Sequence, residues 1–81
     1  MTEFKGKKEL EYKFHVMVSL SQMFGSVGYY EVVDHIKEWE SYLYWGSKNN
    51  MGKTEIRRVN KILNYLYEMR KVEERELLNN K

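Results

Sequence analysis

Apolar side chains recur every three or four positions between Thr54 and about Met69. The stripe consists of Ile56, Val59, Ile62, Leu63, Leu66 and Met69. Residues at this spacing share one side of an α-helix, whereas in a strand neighbouring side chains alternate between two faces. The pattern therefore predicts a helix, with Thr54 as the residue that caps its start.

A second segment, from Tyr29 to about Leu43, has the same periodicity and predicts an amphipathic helix. Proline is absent, and the five glycines are the main breaks in the pattern. The stretch WGSKNNMGK separates the two predicted helices. Its two glycines, two asparagines and serine are typical of a turn.

The segment from Lys8 to Phe24 fits two conformations. Its apolar and polar residues alternate from Leu10 to Leu20, which is a strand pattern, but Leu10, Phe14 and Met17 also share one side of a helix. About 17 residues exceed the usual length of a strand, and only the short stretch 72–78 offers a partner. We favour a helix, and the strand remains the alternative. Residues 72–78 could continue the third helix or form a strand.

A chain of 81 residues has room for one domain, and its core is small. We expect a single domain over residues 1–81, with residues 1–8 and 77–81 as flexible ends. Small domains are often stabilised by association, so we expect a homodimer. The apolar residues left over at the two ends are the candidates for its contact: Phe4, Leu77 and Leu78.

Several classes of protein are disfavoured by composition. Cysteine is absent, which excludes disulfides and cysteine metal sites and fits a cytoplasmic location. No apolar run is long enough for a membrane span, and the start has no signal-peptide pattern, so we expect no membrane partner. The two histidines, His15 and His35, lack the spacing of a zinc site and are expected at the surface or its boundary.

No motif indicates an enzyme. The stretch GSKNNMGKT resembles a phosphate-binding loop, but five residues separate Gly46 from Gly52 where the motif requires four. The serines lack the GxSxG pattern of a nucleophile. We therefore expect no catalytic residues, no metal, no cofactor and no small-molecule substrate.

Charge is segregated along the chain although the total is only +2. Residues 31–45 carry four acids and one lysine, whereas residues 46–61 carry five basic residues and one glutamate. On the third predicted helix, one polar face lies opposite the apolar stripe and contains no acid. It consists of Lys53, Arg57, Asn60, Lys61 and Asn64. Basic and amide side chains of this kind bind phosphates and base edges, so the face indicates contact with nucleic acid.

Two stretches resemble winged helix-turn-helix regulators. GYYEVVDHIKEW is similar to the second-helix stretch of their PadR-like branch, and VNKILNYLYEMRKVEER matches the apolar spacing from recognition helix to wing. Small regulators of archaeal plasmids and viruses are similar in size and in lacking cysteine. The resemblance implies a mainly α, three-helix winged helix-turn-helix-like domain. Arg70 replaces the usual glycine and few residues follow Arg75, so the wing would be truncated or minimal. The turn before the third helix is also longer than usual.

These observations predict a double-stranded DNA-binding protein that regulates transcription by occupying a site, with the third helix in the major groove. The expected base contacts are Arg57, Asn60, Lys61 and Asn64. The expected phosphate contacts are Lys48, Lys53 and Arg58. The alternative is a small helical interaction module, an inhibitor or adaptor, that uses two apolar surfaces. These are the aromatic group Tyr42, Tyr44 and Trp45 and the pair Leu77 and Leu78.

Overall fold

The computed structural model describes residues 6–79, and they form three α-helices. Helix α1 spans Lys7–Phe24, α2 spans Tyr29–Lys48 and α3 spans Lys53–Asn79. No strand occurs within residues 6–79. The prediction of a mainly α chain with three helices is therefore confirmed. Phe4, one of the expected dimer contacts, lies outside the described residues.

Helix α1 resolves the ambiguity of the first segment in favour of a helix. Leu10 and Met17, seven residues or two turns apart, are buried against the other helices. The stretch 72–78, the one candidate for a partner strand, is itself helical. Gly25 ends α1 in the left-handed region, with φ at 83°, and its N–H donates to the carbonyl of Ser21.

The connection between α2 and α3 is shorter than the sequence predicts. Helix α2 continues through Trp45 to Lys48, which leaves only residues 49–52 between the helices. The carbonyl of Gly46 accepts hydrogen bonds from the N–H groups of Asn49 and Met51 at 3.0 and 2.9 Å. Asn50 turns the chain with a φ of 66°. The glycines and asparagines thus close the end of a helix instead of forming a long loop.

Helices α2 and α3 lie antiparallel along their length. Near the connection, the Tyr42 hydroxyl donates to Glu55 at 3.1 Å. At the far end, the N–H of Gly28 donates to Glu73 at 3.2 Å. A contact this far from the connection requires the helices to run side by side, whereas the two helices of a helix-turn-helix cross at about 90–120°.

Helix α3 is longer than predicted and includes the residues of the expected wing. The N–H of Ile56 donates to the carbonyl of Gly52, so the helix begins one residue before Thr54, the predicted cap. It then continues without a break through residues 72–78. Arg70 explains part of this result, because a glycine there would favour a helix end. No wing is present within residues 6–79, and residues 77–79, expected to be flexible, form the last turn of α3.

The core lies between the three helices and is small. Trp39 of α2 and Val59 and Leu66 of α3 are almost fully buried, and Phe14 of α1 packs edge-on against the Trp39 ring. The eight buried apolar residues are Leu10, Met17, Val32, Ile36, Trp39, Val59, Leu63 and Leu66. This packing directs the opposite side of α3 towards solvent.

Candidate nucleic-acid interface

The polar face of α3 lies on the side of the helix opposite the core. Its five predicted residues are all exposed: Lys53, Arg57, Asn60, Lys61 and Asn64. The rise from Lys53 to Lys61 is about 12 Å, or slightly more than two turns. Because Val59, Leu63 and Leu66 fix the inner side, the orientation of this face is set by the core.

Three cations of this face form a row in which neighbours are four residues apart. Lys53, Arg57 and Lys61 take part in no ion pair or hydrogen bond with other residues of the described range 6–79. Like charges at this spacing repel and destabilise a helix by about 0.2–0.5 kcal/mol per pair. The fold therefore bears a small electrostatic cost that an external anion would relieve.

The first acid further along this side of α3 is Glu68, and it is paired. Its carboxylate lies 3.3 Å from the ammonium group of Lys71. The amide side chains of Asn60 and Asn64 lie on the same face as the cations, Asn60 just before Lys61 and Asn64 about one turn after Asn60, and both are exposed. The N-terminal half of the face is therefore positively charged and also carries amide groups that can donate and accept hydrogen bonds.

Glu55 is the one acid in the N-terminal half of α3, and it points away from this face. Its carboxylate accepts a hydrogen bond from the Lys7 ammonium group at 2.8 Å and another from Tyr42. The hydrogen bond from Lys7 is the main cause that lowers the pKa of Glu55, while its partial burial opposes that shift. The negative charge of Glu55 is therefore compensated by α1 and does not neutralise the basic row.

Arg58, a predicted phosphate contact, is not part of the exposed row. Its guanidinium Nη2 lies 2.7 Å from Glu11 Oε2 on α1, a close ion contact whose angle falls outside hydrogen-bond geometry. The side chain lies about 100° around the helix from Arg57 and is still 55% exposed. Its position indicates that it holds α1 against α3.

Lys48 lies at the end of α2, close to the start of α3. Its ammonium group sits 4.8 Å from the centre of the Tyr44 ring, a cation–π contact. The side chain is exposed, and only residues 49–52 separate it from Lys53. Lys48 is therefore an exposed cation near the start of α3, and its contact with phosphate stays a prediction.

Two buried polar residues were not predicted from the sequence. Glu73 of α3 is 4% exposed, although it belongs to a charged run that looks solvated. His35 of α2 is 6% exposed, so the expectation of a surface or boundary histidine is wrong for it. His35 follows the buried Val32 by three residues, so the two lie on the same side of α2. This spacing predicts burial of His35 once α2 is known to be helical.

Within residues 6–79, no group of three or more acidic or histidine side chains is arranged to hold a metal ion. None of the helices in this range is both long and apolar enough to cross a membrane. Comparison with protein-family models, with curated proteins and with solved structures finds no significant match.

Proposed function

We propose that this chain binds double-stranded DNA through the outer face of α3 and regulates transcription by occupying its site. The observation that supports this function is the row Lys53, Arg57 and Lys61. Its side chains are exposed, form no ion pair with other described residues and share their face with two amides, Asn60 and Asn64. Phosphates supply the missing anions, and their attraction is the main source of affinity in such complexes.

The chemistry of the face suits the edges of base pairs. Arginine and lysine donate to the O6 and N7 atoms of guanine, so we assign Arg57 and Lys61 to guanine contacts. Asparagine pairs with the N6 and N7 atoms of adenine, so we assign Asn60 and Asn64 to adenine contacts. Lys53, at the N-terminal end of the face, and Lys48, at the end of α2, are assigned to phosphates. Arg58 contacts Glu11 through Nη2 but is still more than half exposed, and it stays a predicted phosphate contact.

The shape of the molecule is compatible with a helix in the major groove. That groove is about 12 Å wide and admits one α-helix. Helix α2 and the core lie on the inner side of α3, so the outer face of α3 is free to enter the groove. The proposal retains the recognition helix that the resemblance to winged helix-turn-helix regulators implies. It requires neither a wing nor the usual crossing angle.

Binding to a fluorescent duplex of random sequence, followed by anisotropy, tests this proposal. The test variant combines Lys48→Gln with Lys53→Gln, which removes the two lysines assigned to phosphates. The matched control combines Lys8→Gln with Lys37→Gln, which removes the same charge from exposed positions on α1 and α2. At about 0.1 M salt, losing two phosphate-range cations should weaken binding by roughly fiftyfold in the test variant only.

Equal losses in the test and control variants would show that only net charge matters and would contradict an α3 interface. No binding by the wild-type chain at low salt would contradict the function itself. The interaction-module alternative would then be favoured, because Tyr44, Trp45 and Leu78 are each more than half exposed.

A further inference from the structure

Helix α1 has a second apolar face, separate from the one that packs in the core. Tyr12, Val16, Leu20 and Phe24 follow one another at intervals of four residues and line one groove of about 520 Å³ between α1 and α2. Met23 adjoins this row. The side chains of the five are between 39% and 72% exposed. We call these five residues the α1 outer stripe.

The size of the stripe is unusual for a monomer. Aromatic side chains cover about 150–250 Å² each, and from the exposed fractions we estimate roughly 500 Å² of apolar surface for the stripe. The largest apolar patch on a typical monomer is about 300–600 Å² and is often functional. In an 81-residue chain with a small core, this much exposed surface indicates an interface.

We propose that the α1 outer stripe is the contact of a homodimer, in which it packs antiparallel against the same stripe of a second copy. This interface does not depend on whether the chain binds DNA. It replaces the chain ends as the expected dimer contact.

The spacing of the row makes it self-complementary. A two-fold axis passing between Val16 and Leu20 brings Val16 opposite Leu20 of the second copy. The same axis brings Tyr12 opposite Phe24 of the second copy, because each pair is centred on the same point of the helix. Rows of residues four apart form the ridges by which helices commonly pack. A symmetric pair would therefore bury all four side chains at once.

The area also fits a second copy. Standard interfaces bury about 800 Å² per partner, and those of homodimers are about 65% apolar. The estimated 500 Å² of apolar surface in the stripe would be about two thirds of the 800 Å² that one partner buries, and a polar rim around it would supply the rest. The groove is bordered by one basic and one acidic residue, Lys13 and Glu31, so it has no net charge that would repel its own copy. The basic face of α3, in contrast, would repel the same face of a second copy.

Sedimentation equilibrium of the full chain at tens of micromolar tests the association. We expect a dimer for the wild-type chain and a monomer for Leu20→Glu, which places a charge at the centre of the stripe. The matched control is Leu78→Glu, which places the same charge on an exposed leucine of α3, within the end segment first considered as the contact. Circular dichroism of each variant confirms that the helices remain folded.

Cross-linking tests the antiparallel register. The chain contains no cysteine, so Val16→Cys and Leu20→Cys each introduce a unique thiol. After mixing and oxidation, disulfides between position 16 of one chain and position 20 of the other should exceed the 16–16 and 20–20 products. A dominant 16–16 or 20–20 product would overturn the antiparallel arrangement.

Three results would overturn the proposed interface. The first is a wild-type chain that stays monomeric throughout the concentration range. That result would also be found if another protein or a small apolar ligand covered the stripe. The second is a dimer that survives Leu20→Glu. The third is a dimer that Leu78→Glu dissociates while Leu20→Glu does not.

Discussion

Replacing Glu73 by alanine should destabilise the fold more than any other change to a charged residue of α3. The Glu73 carboxylate accepts hydrogen bonds from three groups in the turn between α1 and α2. The donors are the Ser26 hydroxyl at 2.6 Å, the N–H of Val27 at 3.1 Å and the N–H of Gly28 at 3.2 Å. Gly28 precedes α2, so the carboxylate also lies at the positive end of that helix dipole.

The magnitude follows from these contacts. A hydrogen bond to a charged group contributes about 1.5–3 kcal/mol, and three such bonds set an upper limit of about 4.5–9 kcal/mol. Ser26 and Gly28 are exposed, so water replaces part of what they lose. We therefore expect Glu73→Ala to lower the free energy of unfolding by about 2–4 kcal/mol. For a domain of this size the midpoint of thermal unfolding falls by roughly 10–30 °C.

Urea unfolding followed by circular dichroism, at one fixed protein concentration, measures the effect. The control is Glu74→Ala, which removes the neighbouring exposed glutamate and should change stability by less than about 0.5 kcal/mol. Ser26→Ala, which removes one of the three donors, should lie between the two. If Glu73→Ala and Glu74→Ala cost the same, the buried carboxylate does not hold the turn and this reasoning is refuted.

Three further predictions concern pH, the core and base recognition. The pKa of Glu55 is lowered chiefly by the hydrogen bond from Lys7, so this contact stabilises the fold above the ordinary glutamate pKa of about 4.3, and the stabilisation is lost as the pH falls through the lower folded value. In chemical unfolding, Glu55→Gln should be less stable than wild type at neutral pH, and the difference should shrink as the pH falls below the ordinary value; a difference that does not change with pH would contradict the ion pair. Leu66→Ala should cost about 2–5 kcal/mol in the same assay, because the side chain is fully buried; a cost below about 1 kcal/mol would contradict the described core. In titrations of a selected preferred DNA site, Arg57→Ala and Asn60→Ala should each lose about 1–3 kcal/mol of binding free energy, while their binding to random duplex should change less. An equal loss on the preferred site and on random duplex would instead assign the two residues to phosphates.

The sequence was sufficient to predict the helices whose apolar residues have one consistent period. Val59, Leu63 and Leu66 allow only a helix, and the exposed basic face follows from their positions. The alternating pattern of α1 was ambiguous because this helix has two apolar faces. Leu10 and Met17 belong to one, and Tyr12 and Val16 belong to the other. Two apolar faces on one helix produce an alternation of apolar and polar residues that is also typical of a strand.

Tertiary contacts decided what local patterns left open. Glu73 follows the buried Leu66 by two helical turns, but its hydrogen-bond partners lie 45–47 residues away in the turn before α2, so the local sequence cannot identify them. The ion contact between Arg58 and Glu11 also joins residues far apart in sequence, so the sequence could not indicate that Arg58 pairs with α1.

The salt dependence of DNA affinity tests the central claim most directly. Four exposed cations are the candidates for phosphate neutralisation on random duplex: Lys48, Lys53, Arg57 and Lys61. If they neutralise phosphates, a plot of log affinity against log salt for random duplex should have a slope of about −3 to −4 per protomer. The slope should rise to about −2 when Lys48→Gln and Lys53→Gln are combined. A slope near zero, or a slope unchanged in that double variant, would contradict the assignment of this face to DNA.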